Sequence, residues 1–343
     1  MAKVAINGFG RIGRAIFKIV LDTPQLEIAA VNDIVPTDNL AYLLKYDTVY
    51  GRYEKTVDST DNSLIVDGRE YPVYNVKDPS QLPWDELGVD IAIESTGVFT
   101  KVEDLKKHVE AGAKYVILSA PVKGDGIGTV VHGVGQAGEP ARIVSCASCT
   151  TNAITPPMEI MHRRIGVKKA LMTTIHAYTS SQELVDSPSK KFRRGRAAAA
   201  NFVPTSTGAA IATTKALPEL EGRFDGVAIR GPVAVGSIAD IVFIADRPTS
   251  VEEINQIFRE EAQNEQYAGI LGVSDEPLVS SDIIQDSRAA IIDLELTQVI
   301  DGDLVKIMSW YDNEWGYSSQ LVREAARIAR QAKDIQRNPT VVE

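Results

Sequence analysis

A short apolar strand, Val4-Ala-Ile-Asn7, runs directly into Gly8-Phe-Gly-Arg-Ile-Gly13, and a helical stretch from Arg14 to about Leu21 follows. A strand, a turn spaced G-x-G-x-x-G and a helix, in that order, leave few folds open. Glycines at 8, 10 and 13 permit a tight turn and close approach of a pyrophosphate. The helix start adds amide donors and the positive end of its dipole. A second strand, Leu26 to Val31, ends at Asn32-Asp33, twenty residues beyond Gly13. A carboxylate there accepts hydrogen bonds from the adenine-ribose hydroxyls of NAD and repels a 2′-phosphate. A glycine-rich turn with an unrelated acid gives the same string, so the weight lies in the agreement of rhythm, turn and acid.

The rhythm continues. Ile91 to Glu94, Tyr115 to Leu118 and Arg142 to Ser145 read as strands, with a helix from about Val102 to Ala111. Alternation of this kind predicts a Rossmann-type, doubly wound, mostly parallel sheet in an α/β protein. Tyr50 to Val76 is more polar, and its short runs around Asp67-Gly68 predict a small antiparallel insertion. A length of 343 residues exceeds one ordinary core and predicts two domains. The first covers 1–148 and is completed by a C-terminal helix, 316–343, of which Ser318 to about Lys333 is amphipathic. The second, 149–315, opens with a helix from Cys149 to about Arg164 interrupted by Pro156-Pro157. Four β-rich stretches follow, Lys169 to Ile175, Asp225 to Arg230, Ile238 to Ile244 and Leu304 to Trp310, with a helix from Ser250 to about Ala262. They predict an α+β domain with a mostly antiparallel sheet.

A net charge of −10 and a pI near 5.1 argue against bulk nucleic-acid binding. No apolar run approaches the length of a membrane span, and the N-terminus lacks a signal-peptide pattern, so a cytoplasmic protein is expected. Two cysteines cannot supply a disulfide framework, and no metal site is expected.

Cys149 lies in Ser145-Cys-Ala-Ser-Cys-Thr-Thr-Asn152, after an apolar strand and before a helix. Free amides and the helix dipole at that position lower a thiol's pKa and favour the thiolate. The bland alternative is an inert buried cysteine, against which its polar neighbours Ser148 and Thr150 speak. Among four histidines, His108 and His162 read as surface residues of charged helices, and His132 follows a valine run. His176 closes a strand beside threonines and is the best candidate for a base. Arg194, Arg196 and Arg230, with Thr179, Thr207 and Gly208, offer donors to phosphate, though Lys190 to Arg196 reads equally well as a solvated loop.

Five segments together resemble the glyceraldehyde-3-phosphate dehydrogenase family, in order and across essentially the whole chain. They are Gly8 to Gly13, Ser148-Cys-Thr-Thr-Asn152, His176-Ala-Tyr-Thr179, Ser206-Thr-Gly-Ala-Ala210 and Trp310-Tyr-Asp-Asn-Glu-Trp-Gly-Tyr317. The resemblance implies that Cys149 attacks the aldehyde of glyceraldehyde 3-phosphate, that His176 acts as base, and that inorganic phosphate cleaves the resulting thioester. It assigns Thr179 and Arg230 to the substrate's phosphate, and Ser148, Thr150, Thr207, Gly208 and Arg194 to the attacking phosphate. It places Ser119 in the cofactor cleft, Asn313 on the nicotinamide carboxamide, Tyr317 beside the nicotinamide and Lys77 near the adenine. It also implies a homotetramer, with the loop near 180–200 and Ala197-Ala-Ala-Ala200 at an interface.

The chain departs from the family's pattern at Cys146, usually asparagine, at Ala153, often cysteine, and after Arg230, where the family is more polar. Cys146 and Cys149 then share a C-x-x-C spacing, with two readings: a redox pair that protects the nucleophile, or a small buried filler at position 146. Asp33 and Pro188 favour NAD, while Ser187 leaves room for weaker use of NADP. The rival readings are an erythrose-4-phosphate dehydrogenase, which would lack the phosphate step, and a non-catalytic binding or redox-sensing protein on the same fold.

Overall fold

The computed structural model describes residues 1–124, 126–135 and 141–337, the last three by backbone alone. The chain divides into two compact units. The first comprises the described residues of Met1–Val130, Gln136–Ala147 and Leu321–Glu343, and the second those of Val131–Gly135 and Ser148–Gln320.

In the first unit, β1 (Ala2–Asn7), α1 (Arg11–Leu21), β2 (Leu26–Asn32) and α2 (Thr37–Lys45) lead to the short pair β3 (Tyr46–Asp47) and β4 (Gly51–Arg52). Next come β5 (Val57–Ser59), β6 (Ser63–Val66), β7 (Arg69–Tyr74), α3 (Trp84–Leu87) and β8 (Ile91–Glu94). The set closes with α4 (Val102–Glu110), β9 (Tyr115–Leu118), β10 (Gly128–Thr129) and β11 (Ile143–Ser145). Nine strands form one sheet in the order β10-β11-β9-β8-β1-β2-β7-β6-β5. Every pair from β10 to β7 is parallel, and β7-β6-β5 is antiparallel. The expected antiparallel insertion is therefore present and does more than expected, because β7 joins β2 and extends the main sheet. β1 and β8 are almost wholly buried, as strands covered on both faces must be. The reversal of strand order falls at β1 and β8, the usual ligand crevice of a doubly wound sheet.

Glycine is required at two places in the turn after β1. Gly8 has φ +94°, and a Cβ on it would lie 2.5 Å from the Thr96 nitrogen. One on Gly13 would lie 2.0 Å from the Gly8 carbonyl oxygen. A Cβ on Gly10 would meet nothing, so the protein itself leaves open space beside the start of α1.

The second unit holds α5 (Cys149–Arg164), β12 (Val167–Ala177), β13 (Val203–Ser206), α6 (Ala209–Ala216), β14 (Phe224–Gly231), β15 (Ser237–Ala245) and α7 (Val251–Glu261). It continues with β16 (Leu271–Ser274), β17 (Ala290–Asp293), β18 (Gln298–Ile300), β19 (Leu304–Tyr311) and the start of α8 (Trp315–Arg337). Residues 338–343 of the expected terminal helix lie outside the described residues. Its sheet runs β13-β14-β12-β15-β19-β17-β16, with β18 on β19. It is mostly antiparallel, as expected, but β12 pairs with β14 in parallel and β16 with β17 likewise. One face of the sheet packs on α5, α6 and α7 around Ile160, Met161, Ile241, Phe243 and Phe258, all essentially solvent-free. Each such side chain contributes roughly 1.5–3 kcal/mol of burial, an upper figure for an extended reference chain.

One expectation about histidines needs correction. His108 is fully buried, because on α4 it shares the inward stripe with Leu105 while the lysines and glutamates around it face outward. His132 lies in the short segment Val131–Gly135 of the second unit.

Candidate active site

Cys149 is the first residue of α5. Ser148 caps the helix, its hydroxyl accepting from the Thr151 amide at 3.1 Å. Ala147, just before, has φ +56°, a left-handed conformation that costs an L-residue roughly 1–2 kcal/mol. The sequence carries no sign of this bend, which turns the chain sharply from β11 into the helix.

His176 reaches the sulfur because it is next to last in β12. Its Nε2 lies 3.3 Å from Cys149 Sγ. In the parallel register His176 stands opposite Arg230 of β14, which explains the guanidinium at its side. Nδ1 lies 2.6 Å from the Ala177 carbonyl and 2.7 Å from Arg230 Nη1. A guanidinium only donates, so one Nδ1 cannot satisfy both partners. The carbonyl, with two lone pairs, takes Nδ1–H and also Arg230 Nη1 at 2.9 Å. That assignment leaves the Nε2 lone pair facing the thiol, as a base needs. Beneath the pair, the Tyr311 hydroxyl bridges the Thr150 and Thr174 hydroxyls at 2.9 and 2.8 Å. Tyr311 and Thr174 were not singled out from the sequence, and a tyrosine closing a strand gives little warning that it braces a nucleophile.

Charges follow from this packing. Burial, then Arg230, pushes the imidazole down to about 3 from an ordinary 6.5. Burial raises the Cys149 thiol, while Arg230, the Thr150 hydroxyl and the Thr150 and Cys149 amides pull it back. The helix start therefore acts as expected but is outweighed by burial, so the thiol lies above its ordinary range. A consequence concerns stability. The unfolded chain binds a proton on this histidine below pH 6.5 that the folded chain refuses until about pH 3, so stability falls as pH falls through that window. His176→Asn should flatten this acid limb in thermal melts taken from pH 7 to 4; parallel curves for the two proteins would count against a histidine held neutral.

Arg194 donates through Nε to the Thr205 hydroxyl at 3.0 Å and through Nη1 to the Ser181 hydroxyl at 3.3 Å, and Ser181 is 2.8 Å from Thr179. Arg194 and Arg230 are close enough to oppose each other's charge. Among the described residues neither meets a carboxylate, and Arg230 Nε is buried without a partner. Two uncompensated guanidinium groups beside a thiol and an imidazole form a receptor for anions. Thr207 and Gly208 lead into α6, and the Thr207 hydroxyl accepts from the Ala209 amide at 3.2 Å. The Thr150 hydroxyl is buried on Tyr311 and beside the sulfur. The Ser148 hydroxyl accepts from the Thr151 amide as a helix cap and keeps its own O–H to donate.

In the same unit, the Asn313 side-chain oxygen accepts from the Gly236 amide at 3.1 Å and the Ser237 hydroxyl at 3.0 Å, which leaves its NH2 group to donate elsewhere. Tyr317 is buried in the first turns of α8.

The first unit holds the other predicted residues. No side chain caps α1 at Gly10, and its first turn has no acid. Asp33 accepts from the Phe9 amide at 2.7 Å and the Val35 amide at 3.0 Å, which ties it to the glycine turn. The open space at Gly10, the uncapped helix start and a carboxylate at the end of β2 fit a dinucleotide. Arg11 is held by Asp47 through an ion pair at 3.0 Å. Ser119 is half-buried, its amide on the Glu94 carbonyl at 2.9 Å. Lys77 is exposed and no contact in the structure distinguishes it. Cys146 is buried, and burial drives its thiol well up, which suits the filler reading and not a reactive redox partner.

A dinucleotide turn and a base-paired cysteine define a nicotinamide-dependent dehydrogenase that works through a covalent sulfur adduct. Comparison with known proteins narrows this. Residues 2–102 match the family model described as glyceraldehyde 3-phosphate dehydrogenase, NAD binding domain, and residues 148–313 match the C-terminal domain of the same family. Glyceraldehyde-3-phosphate dehydrogenase of Thermotoga maritima is 49% identical over 326 residues, 94% of this chain and 97% of the relative. The enzyme of Geobacillus stearothermophilus is 48% identical over 330 residues, covering 95% and 98%. That of Zymomonas mobilis is 43% identical over 332 residues, covering 96% and 98%. The chain belongs to the glyceraldehyde-3-phosphate dehydrogenase family.

Proposed function

We propose that the protein oxidises glyceraldehyde 3-phosphate to 1,3-bisphosphoglycerate with NAD as hydride acceptor and inorganic phosphate as co-substrate. The observation that carries this is the Cys149–His176 pair at 3.3 Å with two carboxylate-free arginines around it. A thiol and base perform the acyl chemistry, and the cations select a phosphorylated aldehyde.

The sulfur attacks the aldehyde carbon, a C–S bond forms, and the thiol proton passes to His176 Nε2 and on to the new alkoxide. The Cys149 amide and the imidazole hold that oxygen during attack. His176 then takes the hydroxyl proton as a hydride leaves the same carbon, which gives a thioester on Cys149. Bound NAD supplies the hydride acceptor. Inorganic phosphate attacks the thioester carbon, the C–S bond breaks, and the sulfur regains a proton from His176. Sulfur suits both halves, being a strong nucleophile and, in the thioester, a good leaving group. Arg230 and Thr179 would hold the substrate's own phosphate, and Arg194 with Ser148, Thr150, Thr207 and Gly208 the attacking one. The Asn313 NH2 group would donate to the nicotinamide carboxamide with Tyr317 packed beside it. The amides of Arg11 and Ile12 would meet the pyrophosphate, Asp33 the ribose, and Ser119 and Lys77 the rest of the cofactor. NADP is expected to serve more weakly, because Asp33 repels its extra phosphate.

The decisive assay follows NADH formation with and without phosphate or arsenate. Turnover that depends on either supports this reading, and phosphate-independent turnover favours the erythrose 4-phosphate alternative. The same reading carries a cytoplasmic homotetramer. The solvent face of the second unit's sheet supports assembly, with Leu171 at 67% and Val227 at 53% exposure, and among the described residues no helix is long and apolar enough to cross a membrane. Sedimentation should return a particle of four chains.

A further inference from the structure

A chain of buried polar groups in the first unit has no part in the chemistry above. Trp84 Nε1 donates to His108 Nδ1 at 3.1 Å, which puts the histidine's own proton on Nε2. Nε2–H donates to Glu94 Oε2 at 3.1 Å, and Asn7 Nδ2 donates to the same oxygen at 2.6 Å. Glu94 Oε1 accepts from the Thr96 amide at 2.8 Å and from the Thr96 hydroxyl. The Asn7 side-chain oxygen accepts from Asn32 Nδ2 at 2.7 Å, so the Asn7 amide cannot turn round without losing that bond. Trp84, Glu94 and His108 have no solvent exposure, and Asn7 has 1%. One carboxylate therefore receives four donors in the interior.

What Glu94 holds is the wall of the glycine turn. A Cβ on Gly8 would lie 2.5 Å from the Thr96 nitrogen and 2.7 Å from the Ser95 carbonyl carbon, so the turn rests directly on that backbone. The Ser95 hydroxyl adds a bond to the Gly8 carbonyl at 2.7 Å. Any shift of residues 95 and 96 must move the first glycine.

We propose that Glu94 is a positioning residue for dinucleotide binding: anchored on one oxygen by His108 and Asn7, it holds the Thr96 amide and hydroxyl on the other and so fixes the backbone against which Gly8 turns. The inference rests on the reading that this turn binds NAD. Glu94→Gln keeps the shape and fails in chemistry, since its NH2 group meets an N–H whichever way it is turned, either that of Thr96 or those of Asn7 and His108.

Calorimetric titration with NAD, beside steady-state kinetics, tests this. Glu94→Gln should raise Kd and KM for NAD about tenfold and leave kcat at saturating NAD within about twofold. Thr96→Val, which removes one of the four bonds, should give a smaller shift of about threefold and serves if Glu94→Gln does not fold. Val89→Ala thins the same apolar cluster as Trp84 without touching the network, and should lower Tm with Kd unchanged. Variants that fold yet bind NAD within twofold of the wild type overturn the proposal, as does an equal Kd shift in Val89→Ala. A wild-type protein that binds no NAD overturns the parent reading instead.

Discussion

Cys149→Ala should lower kcat by at least about 10⁴-fold while NAD binding stays as it was. The size follows from the order of events. Without the sulfur there is no covalent adduct from which hydride can leave and no thioester to receive phosphate, so both half-reactions fail together. Nor can the other thiol substitute, since Cys146 is buried and its pKa is driven well up. Iodoacetate should label the wild type and leave the variant's activity trace and mass unchanged. A variant that retains one hundredth of wild-type turnover would mean that the chemistry does not pass through this residue.

Arg230→Leu ranks second. Losing a buried, charge-assisted contact to phosphate costs about 3–4 kcal/mol, so kcat/KM for glyceraldehyde 3-phosphate should fall about 10²–10³-fold. Unphosphorylated glyceraldehyde supplies the control, because it never made that contact, and its kcat/KM should fall about tenfold or less. A pH effect accompanies the loss. Arg230 holds the His176 imidazolium off and pulls the Cys149 thiol down, so its removal moves the histidine's pKa up and the thiol's up as well. Equal losses on both aldehydes would assign Arg230 to the nucleophile pair alone.

The parts of this molecule legible in the sequence are those governed by local chemistry. The glycine turn and the strands that follow it carry their own signals, backbone space and an apolar run, and the helix beginning at Cys149 follows such a strand directly. The pairing of His176 with Arg230 is different, because it is a register between strands 54 residues apart, and no local pattern encodes it. His108 was misread for a related reason. Its neighbours along α4 are charged, and only its partners in the assembled fold, Glu94 of β8 and Trp84 of α3, reveal that it points inward. The contact of the Thr150 hydroxyl with Tyr311, 161 positions later, is hidden in the same way. Charge balance was equally hidden. A cysteine at a helix start suggests a lowered thiol pKa, whereas the depth of burial that opposes this is a property of the assembled fold.

The two prolines of α5 have a mechanical outcome. Pro156 and Pro157 have no N–H to give to the carbonyls one turn back, at Asn152 and Ala153, and Ala153's carbonyl instead takes the buried Ser309 hydroxyl of β19 at 3.0 Å. The ladder of the helix is thus interrupted a turn behind the sulfur, and the rung is completed from the sheet. The helix that carries the reactive sulfur is thus fastened to β19 in its second turn as well as capped by Ser148 at its first.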